Sequence, residues 1–123
     1  MTVEDIRSCR QFPDVVAQGC YQIDIHGPTD ATYTLEKLPK GAHYDIPYGA
    51  LVASNCDNLL VAGRCISATH EALGAVRVQH ICMAMGQAAG TAAAMCAKEG
   101  VSPKDLCVSA LQENLRKQNA IID

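Results

Sequence analysis

Tryptophan is missing altogether, and phenylalanine occurs once, at Phe12, beside four tyrosines. A core of stacked rings is therefore excluded, and apolar burial falls to Ala, Val, Leu, Ile and Cys, a set that suits helices packed at short range. A dominant charge is missing too. Ten Lys and Arg against thirteen Asp and Glu leave a formal charge of −3, with no basic surface for nucleic acid or an anionic membrane. The seven cysteines contain no C-x-x-C pair, their number is odd, and the first residues do not read as a signal peptide. Neither a secreted disulfide framework nor a metal or iron–sulfur ligand set is indicated. They read as reduced, mostly buried thiols of a cytoplasmic protein. The glycines, at 19, 27, 41, 49, 63, 74, 86, 90 and 100, yield no G-x-G-x-x-G. Long hydrophobic runs are absent as well. Residues 81–97 carry no charge, but after Ile81 they are Ala, Gly, Met and Cys interrupted by Gln87 and Thr91, which predicts a buried helix rather than a span.

What is present reads as one unit over residues 1–123, with no composition break, repeat or low-complexity stretch. Thr2 with Asp5 predicts a helix start, running to about Arg10 before Phe12-Pro13. Cys20 to His26 alternates: Tyr21, Ile23 and Ile25 face one side, Gln22, Asp24 and His26 the other, as in a half-buried strand. Thr32 to Leu35 reads as a further short strand, and residues 36–43 as a turn. Pro47 makes 44–51 extended or irregular. Leu59 to Ala62 is a continuous apolar run, expected of a strand buried on both faces. A long helix begins near Val76–Gln79 and ends at Gly100. Ser102-Pro103 restarts a helix whose apolar face is Leu106, Ala110, Leu111 and Leu115.

Residues 58–94 are the informative stretch. A buried run ends in Gly63, a polar loop follows, and a helix with small residues at 86, 90 and 94 begins. Glycine lets backbone approach a ligand, and a helix N-terminus offers unpaired N–H donors to an anion. In the polar loop, His70 is either a proton donor and acceptor or an imidazole tied to backbone. Arg77 stands at the start of an uncharged helix, where the dipole disfavours a cation. A compensating anion is expected, either a ligand or a surface acid such as Glu71. Arg64 follows the apolar run and can meet an anion or solvent. His26, on a polar strand face, is either on the substrate side or solvated. Gln87 lies on the same side of the long helix as His80 and either meets a cofactor edge or caps a loop.

Three segments resemble the C-terminal part of the FAD-dependent oxidoreductase family with heterodisulfide reductase-like relatives. They are Asn58-Leu-Leu-Val-Ala-Gly-Arg-Cys-Ile-Ser-Ala-Thr-His-Glu-Ala72, Arg77-Val78, and Met85-Gly-Gln-Ala-Ala-Gly-Thr-Ala-Ala-Ala94. Upstream, Tyr21-x-Ile-Asp-Ile-His26 and Tyr44-x-Ile-Pro-Tyr48 look like the family's preceding strands. The resemblance implies an α/β fold: the closing portion of an FAD-binding, Rossmann-like domain, with a few short strands, the long Gly/Ala-rich helix and a C-terminal amphipathic helix. It implies FAD as cofactor and electron or hydride transfer to or from an unknown small molecule. Gly63, Arg64, Val78, Gln79, His80 and Gln87 would then meet the cofactor, with Arg77 and His70 as catalytic residues. The family's dinucleotide-binding motif is missing, so an incomplete domain is expected. It would be completed by a separate N-terminal FAD-binding unit or by a second copy. Otherwise the chain is a non-catalytic interaction fragment.

Overall fold

The structure is a computed structural model that describes residues 1–26 and 33–122. Helix α1 (Val3–Arg7) starts on a complete capping box: the Thr2 hydroxyl accepts from the Asp5 N–H, and the Asp5 carboxylate accepts from the Thr2 N–H. It ends three residues before the expected Arg10, because Ser8 caps it and Cys9 turns to φ 51°. Strand β1 (Val15–Gly19) follows, a strand the alternation did not flag, since Val-Val-Ala is buried on both faces. It pairs antiparallel with β4 (Tyr44–Pro47), with Gly19 opposite Tyr44 and a bulge between Val15 and Ala17. Strands β2 (Ile23–Ile25) and β3 (Thr34–Glu36) form a second antiparallel pair. Only the end of the Thr32–Leu35 expectation can be compared, because Thr32 lies outside the described residues.

Helix α2 (His70–Val76) packs on β2, and helix α3 (Gln79–Glu99) packs on β1. Helix α4 (Val108–Lys117) lies against both α3 and β1. The α4–β1 contact is held by Gln112, whose amide donates at 3.0 Å to the carbonyls of Pro13 and Val15. The core so enclosed contains Val16, Ile23, Tyr44, Ile46, Leu51, Val76, Ile81, Met85, Leu111 and Leu115. Two polar groups sit in it with partners. Asp45 accepts from the Phe12 N–H and from the Gln18 amide, and Tyr48 donates to the Pro103 carbonyl at 2.9 Å. Burial pushes the Tyr48 phenol up to about 12, with a smaller contribution from the Cys96 thiol.

Four expectations need correction. Leu59 to Ala62 is no buried strand. It makes a single bridge, Leu60 to Val52, and Leu59 is exposed, because no second strand among the described residues lies beside it. The polar loop around His70 is helical: Thr69 caps α2, and Gly74 is tolerated inside it for a packing reason given below. Ser102-Pro103 opens only a 3-10 turn, Pro103–Asp105, and extended backbone at Leu106 delays α4 to Val108. Finally, the cysteines are mostly not buried. Cys96 alone is, while Cys20, Cys56, Cys65 and Cys107 are exposed. The end of α3 agrees with the sequence, with Gly100 left-handed at φ 68°. Residues 81–97 form part of α3, which buries one face (Ile81, Met85, Ala88, Ala92, Cys96) and exposes Met83, Gly86, Gly90 and Ala94. No helix among the described residues is long and apolar enough to cross a membrane.

Candidate functional site

The site is built where α2 crosses β2. Gly74 is the point of contact: a Cβ there would stand 2.9 Å from the Asp24 carbonyl oxygen and 3.0 Å from Ile25 Cγ1. The missing side chain lets the helix sit directly on the strand, and a cleft of about 170 Å³ opens beside the crossing. Its walls carry Asp24 and His26 from β2 and its end, and His70, Leu73, Gly74 and Arg77 from α2 and its cap. Two of the residues singled out in the sequence, His70 and Arg77, thus meet a third, His26.

Asp24 organises this cleft. Its side chain is 13% exposed, so it does not belong to a solvated sheet face. Oδ2 accepts from the Tyr21 hydroxyl at 3.3 Å and stands 3.7 Å from Arg77 Nη2, which also donates to the Asp24 carbonyl at 3.4 Å. Oδ1 is buried and receives no well-aligned hydrogen bond from the described residues. His26 Nε2 lies 3.2 Å from it, close enough for an ion pair when protonated but off the line of a hydrogen bond. The His26 ring also tilts against Tyr33, with centroids 4.9 Å apart. The Tyr33 phenol is held above its ordinary value by partial burial and then by the Asp24 carboxylate.

Arg77 was expected at a helix start, opposed by the dipole. It is instead the C-cap of α2, where a cation is favoured, and the anion it faces is Asp24 rather than Glu71. Asp24 was visible in the sequence as the neighbour of His26 on one strand face. Its pairing across fifty-three positions was not.

Arg77 also joins this cleft to a second group of residues. Arg64 Nε and the Cys82 thiol both donate to its carbonyl, at 3.3 and 3.4 Å. The turn Gly63–Cys65 thereby rests on the beginning of α3, with Gly63 at φ 68° and its Cα side facing Cys82. A side chain there would be strained. Helix α3 begins after Val78, which has no side chain to cap it, and its first turn contains no acid. Its first N–H groups, on Gln79, His80 and Ile81, therefore have no side-chain acceptor among the described residues. Five of the expected cofactor residues, Gly63, Arg64, Val78, Gln79 and His80, come together here.

Gln87 does not join them. It lies two turns along α3, where its amide donates to Gln118 at 3.2 Å. That region lines a separate open groove of about 700 Å³ between β1, α3 and residues 119–121. Among the described residues no group of three or more His, Cys, Asp or Glu is arranged to hold a metal ion.

No curated protein and no solved structure gives a significant match. A family model does: FAD dependent oxidoreductase, over residues 1–115. That match takes in α1 to α3, both clusters around Arg77 and nearly all of α4. The chain belongs to the FAD dependent oxidoreductase family.

Proposed function

We propose that this chain supplies the closing segment of a flavin-dependent oxidoreductase site, with FAD held against the beginning of α3. The observation that carries this reading is the uncapped N-terminus of a 21-residue helix, free of acid in its first turn, with the Arg64 guanidinium beside it. Unpaired N–H groups, a helix dipole and a fixed cation make a set of donors that fits an electron-rich ring edge or a pyrophosphate. Gly63 keeps the turn close to the helix, and Val78, Gln79 and His80 present the donors. When bound, FAD supplies the electron or hydride chemistry, and the protein supplies position and charge. Arg77 and His70 face the neighbouring cleft, where a substrate group would meet them.

Titration of the protein with FAD, followed by visible absorption and gel filtration, tests this reading. Flavin bands are expected to travel with the protein. An Arg64→Ala variant should lose affinity by about tenfold, the effect of one charge-assisted hydrogen bond. Flavin that separates completely from the wild-type chain would contradict binding by this segment alone.

A second reading is favoured by the outer face of α3. Met83 is 68% exposed, and Gly86, Gly90 and Ala94 lie open along the same helix, whose residues 81–97 carry no charge. In this reading the chain acts through association, pairing with a second copy or docking on a separate FAD-binding subunit.

A further inference from the structure

The cleft between β2 and α2 differs from the α3 terminus in its chemistry. At about 170 Å³ it is smaller than the roughly 300–1,000 Å³ of typical cofactor and drug sites. Its one fixed cation, Arg77, is 40% exposed and uses only Nη2 toward Asp24, which leaves the rest of the guanidinium fork without a hydrogen-bond acceptor among the described residues. Asp24 lines the cleft as well, and His26 Nε2 stands 3.2 Å from its buried Oδ1. A carboxylate 3.2 Å from one ring nitrogen favours, by charge rather than through a hydrogen bond, the tautomer protonated at that nitrogen, and leaves Nδ1 as an acceptor. The His26 side chain is 66% exposed, so Nδ1 is open to a ligand. An anion acceptor and a neutral hydrogen-bond acceptor therefore line one small space, and Gly74 keeps its floor clear.

We propose that this cleft binds a small hydroxycarboxylate. Arg77 receives the carboxylate, and the hydroxyl donates to His26 Nδ1. Asp24 acts as a positioning residue that holds the imidazole. A plain carboxylic acid satisfies Arg77 but leaves His26 unpaired, and a plain alcohol does the reverse. The assignment rests on the flavin reading above only in calling this ligand the substrate; the binding itself does not require FAD.

The test uses glycolate and acetate as probes, with the ring Cε1–H resonances of His26 and His70 followed by proton NMR, without FAD and then with it. The two signals are identified by their loss in His26→Gln and His70→Gln. Glycolate should move both and bind about fivefold more tightly than acetate, as one added hydrogen bond predicts. Arg77→Gln should abolish binding of both acids. His26→Gln should erase the preference for glycolate while acetate binding stays. Asp24→Asn should reduce the preference while acetate binds at least as tightly, because Arg77 loses its competing anion, which loss of fold would not do. Equal affinity for the two acids, or no movement of either ring signal in the wild-type protein, would overturn the assignment. Glycolate binding with no flavin retained would leave this inference standing and contradict flavin binding by this segment alone; flavin binding with no glycolate response would overturn this inference and leave the flavin reading standing.

Discussion

Single atoms decide several positions in this chain, and Gly19 is the sharpest case. It stands opposite Tyr44 in the β1–β4 pair, and a Cβ there would lie 2.5 to 2.7 Å from three atoms of the Tyr44 ring system. Tyr44 is fully buried, and burial holds its phenol well above the ordinary range, so the ring has no solvent-side position to retreat to. Gly19→Ala should cost about 1–3 kcal/mol by overpacking, read as a lower midpoint in urea with an unchanged slope. A variant as stable as the wild type would show that the strand pair shifts freely. None of this is visible in the sequence, where Gly19 reads as the end of an unremarkable run. The same holds for Asp24 and Arg77: both residue types are apparent, but only the packing of α2 on β2 brings them together.

At the scale of elements, legibility followed how local the signal was. The capping box at Thr2 and the left-handed Gly100 are contained within a few residues and were readable. The run Leu59–Ala62 was not, because a strand exists only through its neighbours, and composition cannot say whether they are present. Helix α2 was missed for a related reason. Gly74 counts against a helix by propensity, yet it is required by the crossing with β2. This crossing yields a prediction. In an isolated helix Gly→Ala is favourable, but at Gly74 the added carbon meets a backbone carbonyl, which cannot rotate away. Gly74→Ala should therefore destabilise the protein by about 1–3 kcal/mol despite its better propensity. By lifting α2 it should also separate Arg77 from the Asp24 carbonyl and weaken ligand binding in the cleft. Unchanged stability together with unchanged cleft binding would mean that α2 has slack at this point.

The whole molecule has one well-packed side and one side of α3 that none of the described residues covers. Buried Ile81, Met85, Ala88, Ala92 and Cys96 define the first, and exposed Met83, Gly86, Gly90 and Ala94 the second. The exposed side carries no charge from Met83 to Ala97, with Lys98 ending it in the last turn, and nothing stands within 4 Å of a Cβ built at Gly86 or Gly90. Small residues of this kind let a second backbone come close, and a contiguous uncharged face of that extent favours association. The apparent mass of the protein in sedimentation should accordingly rise with concentration. Gly90→Glu places a charge at the middle of the face and replaces the weaker helix former, a gain of about 0.5–1 kcal/mol in helix propensity. It should therefore abolish the concentration dependence while leaving the melting temperature equal or higher. That combination separates association from folding, since a variant that merely unfolded would lose both. A wild-type chain that stays monomeric at every concentration would show that this face does not pair with a copy of itself. Docking on a separate FAD-binding subunit would then be the remaining form of the association proposed for this face.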